Sequence, residues 1–599
     1  MKPTGEGRAV ESRHAAPGMR CRRIRLVRLG TVWCVYVALA MAMTWPVPLS
    51  PASTLPVGSG SAATVPLLNT WTIWWNADRL AHGLEGYWDA PIFHPERGTF
   101  ALSEPQPTTW LVAPIVWCGG RALAYNVYLW LALLLNGLSA FALFRSLRLA
   151  WFACFLGGAL AETLPFVQWQ LGVLQLVPLC GVFWTLRALR IASRNPTVKH
   201  GLLLGLAFAL TYLTCNHSGV LLSVLLLCGA VWYPGKEVLR PAAWTAFLVA
   251  GVTAAVVMLP VVVPQLAILG QRQESSQPGY QRTKLERLRL SLELADYTVT
   301  PAGRGLSVGD LAADSRRPYW TACPGWLKIG VAVSGVLFGL YRRRWRRWTA
   351  YSLTLMTAAV LLSLGPGLSI GAWHPFATLI DAWPGFSHIR NVFRFGLFAQ
   401  IGVVMLATLG FHAAIVTIRL TCPARPRLSR RLRYGTLGLA MLTVIEVPPV
   451  GSPVFTIPTA SSHDKWISTL RNMPRDGGVA CIPFAPGNGL RDFEVSALWM
   501  YYGTLHGRRL VNGYSGYFPP KYFALREVVN DSFPSDAACQ LLKDFNVDLC
   551  VVDRSVHPRA MLEQHATGVW QLQCIASDDQ IGIDVYRLAR RKRSAPIVD

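Results

Sequence analysis

Acidic residues are scarce in this chain: 32 Asp and Glu stand against 57 Lys and Arg in 599 residues, a formal charge of +25. Charged residues of both signs make up only 15% of the chain and hydrophobic ones 52%, whereas a soluble domain carries about a quarter charged. That shortage excludes an ordinary soluble globular protein. The basic excess does not mark a nucleic-acid binder, which collects its cations on one solvated face; here they fall in short clusters between apolar runs. No CxxC or Cys/His metal spacing occurs among the 13 cysteines, and Cys34, Cys154, Cys180, Cys215 and Cys228 lie inside apolar runs as small hydrophobes. Walker, HExxH, GxSxG and DxD-type signatures are also missing, so ATP-driven transport, zinc proteolysis and nucleotide-sugar chemistry gain no support. There is no internal repeat and no low-complexity tract.

What the chain does have is a series of apolar runs able to cross about 30 Å of hydrocarbon. They lie near 29–48, 124–145, 150–168, 171–191, 201–215, 218–233, 241–267, 326–341, 348–366, 394–418 and 433–450. They predict an α-helical polytopic membrane protein with about eleven transmembrane helices. The first run follows a basic lead containing Arg20, Arg22, Arg23, Arg25 and Arg28. It is long for a signal-peptide core, so an uncleaved first span is expected despite the A-x-A spacing of Ala40 and Ala42. With a cytoplasmic N-terminus, the basic connections Arg145–Arg148, Arg187–Lys199, Lys236–Arg240, Arg342–Arg347 and Arg419–Arg433 all fall on the inner side, as the positive-inside rule demands. The expected organisation is a basic cytoplasmic segment (1–28), a transmembrane domain (29–450) with outer loops 49–123, 271–325 and 367–393, and a small extramembrane α/β domain (451–599). In that domain GVACIPFA (478–485) and VDLCVVD (547–553) read as strands, and SDAACQLLKDFN (535–546) reads as a helix with Ser535 as N-cap. The basic run at 590–593 is ordinarily a solvated tail, with lipid-headgroup contact as the sharper alternative.

Five of the acids lie in the first outer loop, where chemistry could use them. After an interfacial-looking segment, PLLNTWTIWWNADRLAHG (66–83), comes GYWDAPIFHPERGTFALSEPQP (86–107), an acid-bearing stretch whose prolines forbid regular helix. Acids in an extramembrane loop are usually solvated surface, and Asp78, Glu85 and Glu96 fit that description. Asp89 stands beside Trp88, Pro91, Ile92 and Phe93, and Glu104 between Leu102 and Pro105; an apolar setting would raise a carboxyl pKa and suit it to general acid or base work. Glu162 is an ionisable group toward the outer end of its span, a functional candidate by default, although pairing with a structural arginine would serve as well. Asn216 and His217 sit at an outer turn, where a hydrogen-bonded structural histidine is expected. Pro260 and Pro264 interrupt the seventh span.

The words LLNTWTIWWNADRLAHG, DAPIFHPERGTFALSEPQPTT, ALAYNVYLW, IRNVFRFG and VNGYSGYFPP occur in the order of a first span, a long acid-bearing outer loop, many further spans and a terminal outer domain. This arrangement resembles the GT-C class of integral-membrane glycosyltransferases, in its bacterial branch related to the lipopolysaccharide and mannosyl-transferase type families. The resemblance covers most of the chain. It implies a multi-pass protein of the bacterial inner membrane with its C-terminal domain in the periplasm. It also implies a polyprenyl-phosphate-linked sugar as donor and a glycan, lipid or protein as acceptor. A first-loop carboxylate would be the general base, for which Asp89, Glu104 and then Asp78 are the candidates. Arg390 and Arg394 in SHIRNVFRFG would hold the donor phosphate, or else be snorkelling interfacial arginines. Asn69, His94 and Glu162 would line the cavity. No metal spacing is present, though a divalent cation at the first-loop acids is compatible with the reading. One departure stands out: active members of the class carry an acid directly after the first span, and TWPVPLSPASTLPVGSGSAATVPLLN (44–69) has none. A lipid-linked glycan transporter or flippase, and a noncatalytic glycan- or partner-binding relative, are therefore the rival readings.

Overall fold

The computed structural model describes residues 17–58, 62–232, 240–274, 282–298, 322–421, 426–447, 452–474, 476–564 and 569–591. Residues 236–239, 275–281, 299–321 and 592–593 of the expected connections and tail, and the expected boundary at 450–451, lie outside them. The protein is mostly helical. Among the described residues five segments are long and apolar enough to cross a membrane: Leu26–Met43, Arg121–Ser146, Leu174–Arg194, Pro241–Gln271 and Val392–Thr421. The other expected crossings are shorter or more basic helices, so the count of about eleven is not reached by this measure. Val198–Thr214, Asn216–Trp232 and Trp326–Tyr341 are apolar but short, and Arg343–Ser363 and Pro426–Ile445 open on arginines. Trp151–Glu162 has 12 residues, about 18 Å of helix at 1.5 Å per residue. Pro165 ends it, because the residue before a proline is forced out of the helical region, and Leu164 is extended. Pro260 and Pro264, by contrast, do not break their span: the helix Pro241–Glu274 runs continuously through both.

Small residues let the helices close together. A Cβ on Gly335 would meet the Leu406 carbonyl oxygen at 2.0 Å, and one on Gly410 the Val331 oxygen at 2.2 Å, so Trp326–Tyr341 and Phe395–Thr421 pack backbone to backbone.

The C-terminal region carries a four-stranded sheet. Strands β1 (Thr54–Pro56) and β2 (Val454–Thr456) form a separate antiparallel pair, while β3 (Gly478–Ile482), β4 (Val547–Asp553), β5 (Trp570–Asp578) and β6 (Ile583–Arg590) order as β3-β4-β6-β5. β3 and β4 are parallel, and the other pairs antiparallel. Both strands expected from sequence are present, and so is the helix, at Asp536–Asp544 with Ser535 accepting from the Ala538 N–H at 3.3 Å. β5 and β6 went unread.

The acid-bearing loop is the seat on which this region rests. Its DAPIFHP segment runs beside residues 510–512: Leu510 N–H donates to Pro91 O (3.0 Å), and His94 N–H to Leu510 O (2.9 Å). Phe93 is buried with its ring edge-on to Phe518 and Tyr522, centroids at 5.6 and 5.1 Å. Only glycine fits at 513, since a Cβ there would stand 2.6 Å from the Phe93 ring. Glu494 accepts from Ala63 N–H at 2.6 Å, just before the helix Thr64–Ala81, and Arg121 donates to Thr504 O at 3.0 Å. Loop, sheet region and helix ends thus form one fixed surface. Truncating the anchor, Phe93→Ala, should cost about 3–5 kcal/mol. It should lower the melting temperature of the purified protein and speed tryptic release of the C-terminal region; an unchanged protein would show that the seat is not held by this ring.

Candidate functional site

Beneath that surface lies a cavity of about 370 Å³. Its walls come from four sources: the start of Thr64–Ala81, the loop around Glu104, the loop-side ends of several helices, and residues 514–517 of the C-terminal region. Val220, Val262, Leu266 and Leu269 are apolar parts of its lining, and Asn69, Gln175, Asn216 and Gln265 are polar ones. Glu104, His217, His388, Arg282, Arg390 and Arg394 are the ionisable side chains among them.

Glu104 is the hub. Gln106 in the left-handed region (φ +45°) and the flanking prolines turn the chain so that residue 104 enters the cavity. Asn76 fixes that turn by donating to Pro105 O (2.6 Å) and Gln106 O (3.1 Å), and is itself held by the Tyr87 hydroxyl at 2.7 Å. His217 enters from a one-residue break between two helices, where Cys215 is extended. Arg394 comes from the turn preceding Phe395–Thr421. The Glu104 carboxylate accepts from Arg394 at 3.1 Å and faces His217 Nδ1 at 2.6 Å. An ionised carboxylate can only accept, so Nδ1 carries the proton, and in the neutral imidazole Nε2 is the acceptor nitrogen.

The expected rise in carboxyl pKa is reversed here. Burial alone would push the Glu104 pKa up, but the Arg394 guanidinium and His217 outweigh it and hold it at about 2, against a usual 4.5. Nor do the other two candidate bases enter the cavity. Asp89 is exposed and accepts from the Gly98 N–H at 2.8 Å, locking a turn. Asp78 pairs with Arg79 at 2.8 Å, whose guanidinium lies 4.6 Å from the Trp75 ring centre. Of the expected lining residues, Asn69 is in the wall, accepting from Gln106 at 3.4 Å. His94 instead lies under the C-terminal sheet, its ring against Gly478. Glu162 is fully buried beside Tyr36 and Gly137, does not line the cavity, and pairs with no arginine among the described residues. Both phosphate-binding candidates do line it: Arg390 sits 3.5 Å from Glu286, and Arg394 keeps only 7% of its side chain accessible, which rules out snorkelling for Arg394.

Sequence reasoning missed Arg282. It pairs with Glu286 one helical turn away at 3.5 Å, but it also donates to Gly516 O at 2.7 Å and lies 3.9 Å from the Tyr517 ring centre, two contacts across about 235 residues of chain that no local pattern reveals. The first-loop acids do not converge on a cation site. Glu104, Cys215 and His217 do offer ligand atoms within 4.8 Å of one another. Arg394 and His217 both contact Oε1 of the carboxylate, and Cys215 Sγ lies 3.7 Å from Oε2, so the trio is held as a hydrogen-bonded ion cluster.

No family model and no curated protein matches the chain. Solved structures do. The arabinofuranosyltransferase AftD from Mycobacteria superposes at TM-score 0.57 with 12% identity, over 94% of this chain and 40% of that one. A variant of the same enzyme superposes at 0.52 with 12% identity, over 93% and 41%. The oligosaccharyltransferase AglB from Archaeoglobus fulgidus, solved with an inhibitory peptide and a dolichol-phosphate, gives 0.48 with 13% identity, over 96% and 75%. The fold is that of the GT-C glycosyltransferases. The chain spans well under half the length of AftD, and at this identity the likeness concerns the architecture.

A depressed carboxyl pKa fixes the sign of a pH effect. The stability Glu104 contributes is fully present above its unfolded pKa, near 4.5, and is lost as pH falls from there through about 2. Melting temperature should therefore fall between pH 5 and 3 more steeply in the native protein than in Glu104→Gln; parallel curves would show that the ion cluster does not form.

Proposed function

We propose that this protein is a membrane glycosyltransferase that moves a sugar from a polyprenyl-phosphate donor to an acceptor hydroxyl within the Glu104 cavity. The carrying observation is the composition of that one space: apolar helix residues able to take a lipid chain, together with an acid–histidine pair and three arginines. The bilayer supplies the donor, and the positive-inside pattern orients the cavity away from the cytoplasm.

Among the three expected bases only Glu104 is available to a substrate, and ionised with so low a pKa it is a weak proton acceptor. The base role then falls to His217. Glu104 holds the Nδ1 proton, fixing the tautomer, and Nε2 takes the proton of the acceptor hydroxyl. The acceptor oxygen bonds to the anomeric carbon as the bond from that carbon to the phosphate oxygen breaks, inverting the centre. The lipid phosphate departs with the electron pair, its charge met by Arg390, Arg394 and Arg282. A histidine–carboxylate pair also accounts for the missing acid after the first span. The continuous helix through Pro260 and Pro264 removes one feature that favoured a transporter.

Transfer of radiolabelled sugar from a panel of polyprenyl-phosphate sugars in membranes tests this. His217→Asn and Glu104→Gln should each lower the rate about 100-fold or more, while Asp89→Asn and Asp78→Asn stay within about threefold, since surface carboxylates outside the site contribute little. No transfer from any donor, or full activity in His217→Asn, would contradict the proposal.

A further inference from the structure

A second cleft, of about 530 Å³, lies at the opposite end of the helices. The chain directions establish this: Arg121–Ser146 and Leu174–Arg194 start near the catalytic cavity and run away from it, and the cleft is lined by Leu147, Arg190, Arg194, Trp232 and the 343–351 stretch. Arg190, Arg194, Arg343, Arg344 and Arg347 face it, and among the described residues no carboxylate does. Arg194, Arg343, Arg344 and Arg347 form no ion pair among the described residues. Like charges so gathered repel one another unless an anion joins them. The helix Arg343–Ser363 also presents its N-terminus to the cleft, where the dipole favours negative charge. Trp345, against which Arg344 stacks with its guanidinium 5.0 Å from the ring centre, has a buried indole N–H with no acceptor among the described residues.

We propose that this cleft binds the phosphate of an anionic lipid headgroup. The phosphate chemistry follows from the arginines, whose planar forks match its oxygens. The lipid source follows from the rim: Val231 and Tyr341 are 77% and 79% exposed, beside exposed Trp232 and Leu340, and such an apolar and aromatic border suits the level of a bilayer interface. The basic connections that contribute Arg190, Arg194 and Arg343 to Arg347 are those expected on the cytoplasmic side, where anionic lipid is available to a juxtamembrane basic cluster. The site is independent of the transferase reading.

The test is the thermal stability of the full chain in neutral detergent, titrated with phosphatidylglycerol, phosphatidylcholine or inorganic phosphate. Phosphatidylglycerol should raise the melting temperature and phosphatidylcholine should not. Arg343→Gln with Arg347→Gln should weaken the phosphatidylglycerol effect by about 20-fold or more, at about fivefold per arginine, and Arg343→Lys with Arg347→Lys should retain most of it. If the glutamine pair does not fold, Arg347→Gln alone carries the same comparison at about fivefold. A rise with inorganic phosphate alone, absent with phosphatidylglycerol, would overturn the lipid assignment in favour of a soluble phosphate ligand. Equal effects of the two lipids, or an undiminished phosphatidylglycerol effect in the variants, would overturn the site.

Discussion

A carboxylate withdrawn from water must be met by cations and donors, and this requirement organises the molecule around Glu104. Arg394 and His217 meet it from two different helices, so the ion cluster ties the first loop to the helical body at one point. The loop can reach that point only because Asn76 and Tyr87 hold the turn at Pro105 and Gln106. The C-terminal region then closes the space from above through Tyr514 to Tyr517, and it is held there by Phe93 and Glu494. Remove the cluster, and the loop, the cavity and its cover lose their common reference.

That arrangement separates the roles that the acid-rich loop carries. Asp89 and Asp78 make local contacts that shape the loop, Phe93 and His94 seat the C-terminal region, and of these three acids Glu104 alone lines the cavity. Because burial is overcome by the paired charges, Glu104 stays ionised and serves better as the partner that orients His217 than as a base in its own right. A neutral imidazole so oriented offers its other ring nitrogen as an acceptor.

How much of this was legible in the sequence depended on whether the signal was local. β3 and β4 are largely apolar, β-branched runs because both are almost wholly buried, and Ser535 caps its helix by a three-residue rule. β5 forms a sheet edge, and WQLQCIASD mixes exposed and half-buried residues and offers no continuous run, while the inner β6, IDVYRLAR, is interrupted by Asp584 and Arg587. The helical body was legible in its apolar runs. The count was not, since Pro165 cuts a run into pieces too short to cross and arginines open others. Arg390 and Arg394 stood out as cations next to an apolar run and do line the cavity. The setting of Glu104 could not be read, because its neighbours in sequence are apolar while its neighbours in space, Arg394 and His217, are 290 and 113 residues away. Local composition therefore pointed to a raised pKa, and tertiary structure reversed it.

The central claim is that one cavity brings a lipid-phosphate donor to the Glu104–His217–Arg394 cluster. A structure of the protein with a non-hydrolysable polyprenyl-phosphonate sugar tests it most directly. The account predicts the phosphonate oxygens within hydrogen-bond distance of Arg390, Arg394 or Arg282. The lipid should lie along Val262, Leu266 and Leu269, with the anomeric carbon facing His217 Nε2. A donor bound elsewhere, with this cavity unaltered, would contradict it.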